Sequence, residues 1–121
     1  MIVTALIWLA VAGLAGIGVA ALAAPRELSQ LYGTPVRETN AIAFVRATGV
    51  RDVLLAGILA FAQAGAFAPV ATVTCAAGAL LAAADFVLTL GAADGRLRRE
   101  HLSHIGGFVG FALIAFLSMH R

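Results

Sequence analysis

Five ionisable residues sit where an apolar chain has little reason to keep them. Arg46, Arg51 and Asp52 fall inside the run TNAIAFVRATGVRDVLLAGILAFAQ from Thr39 to Gln63, and Asp85 is the lone charge between Val70 and Ala92. His104 stands near the head of the last apolar run. At the centre of a lipid-embedded helix each full charge costs about 2.5–3.5 kcal/mol, whereas a Leu or Ile returns only about 0.3–0.6 kcal/mol. Such groups persist only where they face protein or water, with partners nearby. Two carboxylates at close range in a low dielectric do not both ionise comfortably, so one is expected to hold a proton and the other not. That division supplies a general acid and a general base in one pocket. An arginine between them would fix both by charge-assisted, bidentate hydrogen bonds. The chemistry that suits such a set is acid–base work on a lipid-soluble substrate.

The elements that must position these groups follow from composition. The chain has 121 residues, of which 62% are hydrophobic and only 12% charged. Its mean hydropathy is +1.01. A soluble chain is about 25% charged, so this is an integral membrane protein of one domain. All eight basic residues are Arg, and the formal net charge of +2 is too small to point to nucleic acid. The single cysteine, Cys75, excludes an intrachain disulfide, a Cys-cluster metal site and CxxC redox chemistry.

Four spans are predicted, at about 2–24, 40–64, 70–92 and 101–118, giving an all-α, antiparallel four-helix transmembrane bundle over residues 1–121. The first span could be mistaken for a signal peptide ending at Ala21-Leu22-Ala23-Ala24. It lacks a basic leader, and its apolar run exceeds the usual h-region of about 7–15 residues. PRELSQLYGTPVRE, with breakers Pro25, Gly33 and Pro35, is expected as a surface loop holding a short interfacial helix at Arg26–Tyr32. Gly65-Ala66-Phe67-Ala68-Pro69 is a tight turn, and ADGRLRRE a basic loop. Arg26, Arg37, Arg96, Arg98 and Arg99 lie on one face, against Arg121 on the other. This bias puts the polar loops in the cytoplasm and both termini outside, in a multi-pass arrangement in the cell membrane.

Depth then brings the ionisable residues together. Reflection about the turn between Ala68 and Pro69 sets Asp52 and Asp85 at one level, given a rise of about 1.5 Å per residue. Counting back from Ser118 by the same length reaches His104, and the matching level on the first span is Gly16 to Gly18. Arg51 lies within a residue of this layer and Arg46 about 7–8 Å nearer the cytoplasm. Helical spacing places Thr48, Asp52, Ala56, Leu59 and Gln63 on one stripe, Thr74, Gly78, Asp85 and Thr89 on another, and His104, Gly107 and Phe111 on a third. Polar and small residues on one stripe mark the face turned inward in a membrane bundle. Asp52, Asp85, Arg51, Arg46 and His104 are therefore the candidate catalytic residues. Asn40, Thr48, Gly16, Gly78, Thr89 and Gly107 are the candidate substrate contacts. No cofactor is expected.

The run PRELSQLYGTPVRETNAIAFVRATGVRDVLLAG, the later Asp85 and a histidine heading the last span resemble a family of small four-helix membrane proteins of unknown function, in the neighbourhood of the DoxX-like proteins. The resemblance covers nearly the whole chain. Its most specific part is Arg46, Gly49, Arg51-Asp52 and Gly57. It implies the four-helix fold and importance for Arg46, Arg51, Asp52 and Asp85. Some relatives look like hydrolases or cyclases that open epoxides. One carboxyl would protonate the epoxide oxygen while the other activates water or an internal hydroxyl.

Other readings compete. Arg51, Asp52 and Asp85 could be a buried ionic group that orients helices. A proton-coupled transporter is a second functional class, although small multidrug exporters carry their acid in the first helix, where this chain has none. A subunit of a larger membrane complex is a third. A metal site of His101 and His104 with Asp85 is the weaker reading, since histidines at span starts sit well at interfaces. Trp8 and Tyr32 read as interface or loop anchors, and Cys75 as packing. The partners expected are membrane lipid and an apolar small molecule, with a homodimer left open.

Overall fold

The computed structural model describes residues 1–32, 34–92, 95–99 and 101–120. Gly33, read above as a breaker, and Ala93, Asp94, Glu100 and Arg121, counted above in the loop and at the end of the chain, lie outside the described residues. All regular structure among the described residues is helical: α1 (Ile2–Ala23), α2 (Pro25–Leu31), α3 (Thr39–Ala64), α4 (Ala68–Ala92) and α5 (His101–Met119). Of these, α1, α4 and α5 are long and apolar enough to cross a membrane, and the chain is a membrane protein on that ground. The longest helix, α3, has 26 residues and carries Arg46, Arg51 and Asp52.

Proline explains where the helix starts depart from the sequence expectation. Pro25 occupies the first turn of α2, and Pro69 is the second residue of α4. A first-turn residue has no intrahelical acceptor for its N–H, so proline is tolerated there. Both helices therefore begin a residue or two earlier than a breaker reading suggests. The turn between α3 and α4 shrinks accordingly. It is closed by the Phe67 N–H donating to the Ala62 carbonyl at 2.8 Å and by Ala66 in the left-handed region at φ 57°.

The helices associate as two broad pairs, α1 along α3 and α4 along α5. Narrower seams join α3 to α4 and α1 to α5, and α2 rests on α1 and α3. In lipid no water is expelled between helices, so close van der Waals approach must hold them. Gly18 and Gly49 supply it. A Cβ on Gly49 would lie 2.7 Å from the Gly18 carbonyl oxygen, and one on Gly18 would lie 2.8 Å from the Gly49 oxygen. The backbones of α1 and α3 thus touch at this crossing.

Beyond the crossing, toward the Gly65–Phe67 turn, the interior is solid. Ile7, Leu59 and Cys75 are fully buried and pack with Ala62, Ala71 and Ile114. Large side chains such as Leu54, Phe61 and Leu80 point outward, as helices with lipid for a solvent allow. The closed end and the touching α1–α3 backbones leave the open space to the opposite half, beneath α2.

Candidate functional site

That space is a cleft of about 390 Å³, within the range of about 300–1,000 Å³ typical of small-molecule sites. All five helices contribute to its wall. Residues spaced by helical turns do so: Leu14, Ile17 and Ala21 on α1; Thr48, Asp52 and Leu55 on α3; Gly78, Leu81, Asp85 and Leu88 on α4; His104, Gly107 and Phe111 on α5. Leu28, Ser29, Tyr32 and Thr34 close the α2 end.

The ionic centre is a bridge. Arg51 Nε donates to Asp52 Oδ1 at 3.0 Å, and Arg51 Nη2 donates to Asp85 Oδ2 at 3.1 Å. One guanidinium therefore holds carboxylates from α3 and α4, which places the two acids at one level of the fold. The environments of the acids differ. The Asp52 side chain is 9% exposed and the Asp85 side chain 31%, so Asp85 is the carboxylate presented to the cleft. The remaining oxygen of each acid takes no part in the bridge. One guanidinium against two carboxylates leaves a surplus negative charge.

Polar neighbours surround the bridge. The ring of Tyr32 lies 5.4 Å from that of His104, centroid to centroid. His104 Nε2 is buried and has no hydrogen-bond partner among the described residues. Burial pushes the Tyr32 phenol above its ordinary value of 10.0, and the negative fields of Asp52 and Asp85 push it further the same way. The threonines are less versatile. Thr48 donates its hydroxyl proton to the Phe44 carbonyl, and Thr89 donates to that of Asp85. Each can offer a ligand a lone pair but no proton.

Among the residues singled out by sequence, Asp52, Asp85, Arg51, His104, Thr48, Gly78, Thr89 and Gly107 line the cleft. Arg46, Asn40 and Gly16 do not, and all three are exposed. Arg46 precedes Arg51 by five positions, which turns it about 140° away around the helix. Asn40 belongs to the first turn of α3, far from the bridge along the axis. Gly16 has no heavy atom within 4 Å of where a Cβ would stand, so it borders neither α3 nor the cleft. The space expected at Gly16 to Gly18 is instead taken by Ile17 and by the Gly18 contact with α3.

Two further corrections concern aromatic residues. Tyr32 is no loop anchor but part of the wall, and Ser29 and Thr34 join it there. The signal for Tyr32 was its spacing of four from Leu28, which puts both on one face of α2. His101, at the first position of α5, is buried within the fold at 3% exposure. Its Nδ1 accepts the Arg98 N–H at 2.9 Å, and its ring meets Phe86 edge-on, so it ties the preceding loop to α4 and takes no part in the cleft.

Together these features define a helical membrane protein with an ionic, largely apolar-walled cleft. Family models, curated proteins and solved structures give no match to the chain.

Proposed function

We propose that α1, α3, α4 and α5 form an antiparallel four-helix transmembrane bundle, with both termini outside and the arginine-rich loops in the cytoplasm, and that its cleft carries out acid–base chemistry on a lipid-soluble substrate. The arginine bias between the two faces supports the orientation. The reaction class that fits is epoxide opening, since the chain resembles a family of small four-helix membrane proteins some of whose relatives look like epoxide-opening hydrolases or cyclases. The observation that carries the reading is the Asp52–Arg51–Asp85 bridge, in which two acids are fixed at the cleft wall, each with one oxygen outside the bridge.

In this mechanism one acid of the pair holds the proton and donates it to the epoxide oxygen as the ring C–O bond breaks. Water, or a hydroxyl of the substrate itself, attacks the carbon, and its proton passes to the carboxylate of the other acid. The product is a diol or a cyclic ether alcohol. One proton has left the first acid and one has reached the second, so a transfer between the acids restores the start. Arg51 keeps both geometries fixed while the charge moves. As the acid gives up its proton, the negative charge left on the bridge favours the positive character that grows on carbon.

Turnover of an apolar epoxide by purified protein in nanodiscs tests this. Asp85→Asn and Asp52→Asn are each expected to lower kcat by about 10²–10⁴, the range for loss of a general acid or base. Full activity in both variants removes the proposal. Proton-coupled transport is the second reading, favoured by a half-buried carboxylate at Asp85 within an apolar helix. Flux through proteoliposomes under a proton gradient, with no chemical change to the substrate, would establish it instead.

A further inference from the structure

The charge balance of the cleft points to a ligand class that the bridge alone does not. The only full charges among the described lining residues are Arg51, Asp52 and Asp85. Arg46, which would have balanced the second acid, faces away. With both acids ionised the site has an excess negative charge in a low-dielectric wall, which is unfavourable unless something positive joins it, either the proton of the proposed acid or a cation in its place. A buried imidazolium does not meet the need, because a charged N–H at His104 Nε2 would have no acceptor within reach. As a neutral ring, His104 leaves the charge of the site unchanged.

We propose that the cleft binds a lipophilic ammonium: a monocationic head seated between Asp85, His104 and Tyr32, with an apolar body along Leu14, Ile17, Leu81 and Phe111. The head would meet the open Asp85 carboxylate and face the Tyr32 ring, whose π-face attracts cations. The negative field is already felt at Tyr32, where both acids act on the phenol. The apolar residues on α1, α4 and α5 bury the body, and the cleft of about 390 Å³ has room for head and body together. This inference rests on the cleft of the proposed function, and on its charge, but needs none of the catalysis. If both hold, a cation occupies the position of the positive carbon and competes with the epoxide.

The test compares three head groups on one alkyl body. Octylammonium, octanol and octanoate are equilibrated against nanodiscs of zwitterionic lipid that contain the protein, with empty discs subtracted. Octylammonium should bind saturably and at least about tenfold tighter than octanol, a difference of about 1.4 kcal/mol. Octanoate should show no saturable component. In Asp85→Asn the ammonium should fall to the level of the alcohol, while Asp85→Glu keeps the preference. Equal affinity of wild-type protein for octylammonium and octanol overturns the inference and needs no variant, so a misfolded mutant cannot hide the result. Unchanged binding in a folded Asp85→Asn overturns it too. Cation binding without epoxide turnover removes the catalytic reading alone, and turnover without cation preference removes this one alone.

Discussion

Removing Arg51 should cost far more than removing the acid it reaches across to. Arg51→Gln deletes two charge-assisted hydrogen bonds, at 3.0 Å to Asp52 and 3.1 Å to Asp85. It also leaves two carboxylates facing each other with no counter-charge. Hydrogen bonds to charged groups contribute about 1.5–3 kcal/mol each, and breaking a buried pair from one side costs about 3–5 kcal/mol. Both Arg51 and Asp85 are about a third exposed (33% and 31%). Solvent screening therefore brings the expected loss down to about 2–3 kcal/mol. Asp85→Asn, by contrast, leaves a neutral Arg51–Asp52 pair and should cost less than about 1 kcal/mol. The revealing variant is the double one. Arg51→Gln with Asp85→Asn keeps only one unpaired carboxylate, so it should be more stable than Arg51→Gln alone despite carrying an extra substitution. Detergent-titrated unfolding, followed by helicity, measures all three. Additive losses would refute the view that Arg51 serves both acids at once.

At the α1–α3 crossing, Gly49→Ala would put a Cβ 2.7 Å from a backbone oxygen and 2.8 Å from the Ala21 Cβ, and neither can swing aside. The same unfolding assay should show a loss of about 1–3 kcal/mol, and a neutral result would mean the helices do not touch there. Tyr32, the only tyrosine in the chain, gives a clean optical titration. Its phenolate absorbance in folded protein should appear at a pH above 10.0, chiefly through burial, and move partway back in Asp85→Asn. A group with a raised folded-state value contributes stability that is complete below the unfolded value and lost as pH climbs through the folded one. The fold should accordingly weaken above pH 10.0 by this route, and a Tyr32 midpoint at or below that value would contradict its buried placement.

Much of the site was legible because helix rise is linear. Counting equal lengths from one turn put Asp52 and Asp85 at one depth, and the structure joins them through Arg51. Apolar runs bounded by Pro25, Pro35 and Pro69 fixed the long helices to within a few residues. Rotation was used less strictly than rise. Arg46 counts as a candidate beside Arg51 although it lies about 7–8 Å along the axis, and about 100° per residue turns it to another face. Gly16 and Gly18 were treated as one gap, although two positions on a helix point nearly opposite ways. What periodicity could not supply was the position of α2 and of the segment after it. Tyr32, Ser29 and Thr34 reach the cleft because the chain folds back over it, and no repeat in the sequence encodes that path.

The seams between helices have a last consequence. Each of the pairs α1–α3 and α4–α5 is broadly packed, whereas the pairs meet along narrow seams. The bond from Arg51 to Asp85 is the one described side-chain ion pair that crosses from α3 to α4. It acts as a latch between two rigid leaves. A guest that claims the Asp85 carboxylate competes directly with this latch, so occupancy of the cleft and the spread of the leaves are coupled. A larger guest would be accommodated by parting the leaves rather than by repacking either one, and removal of Arg51 should broaden the range of sizes admitted.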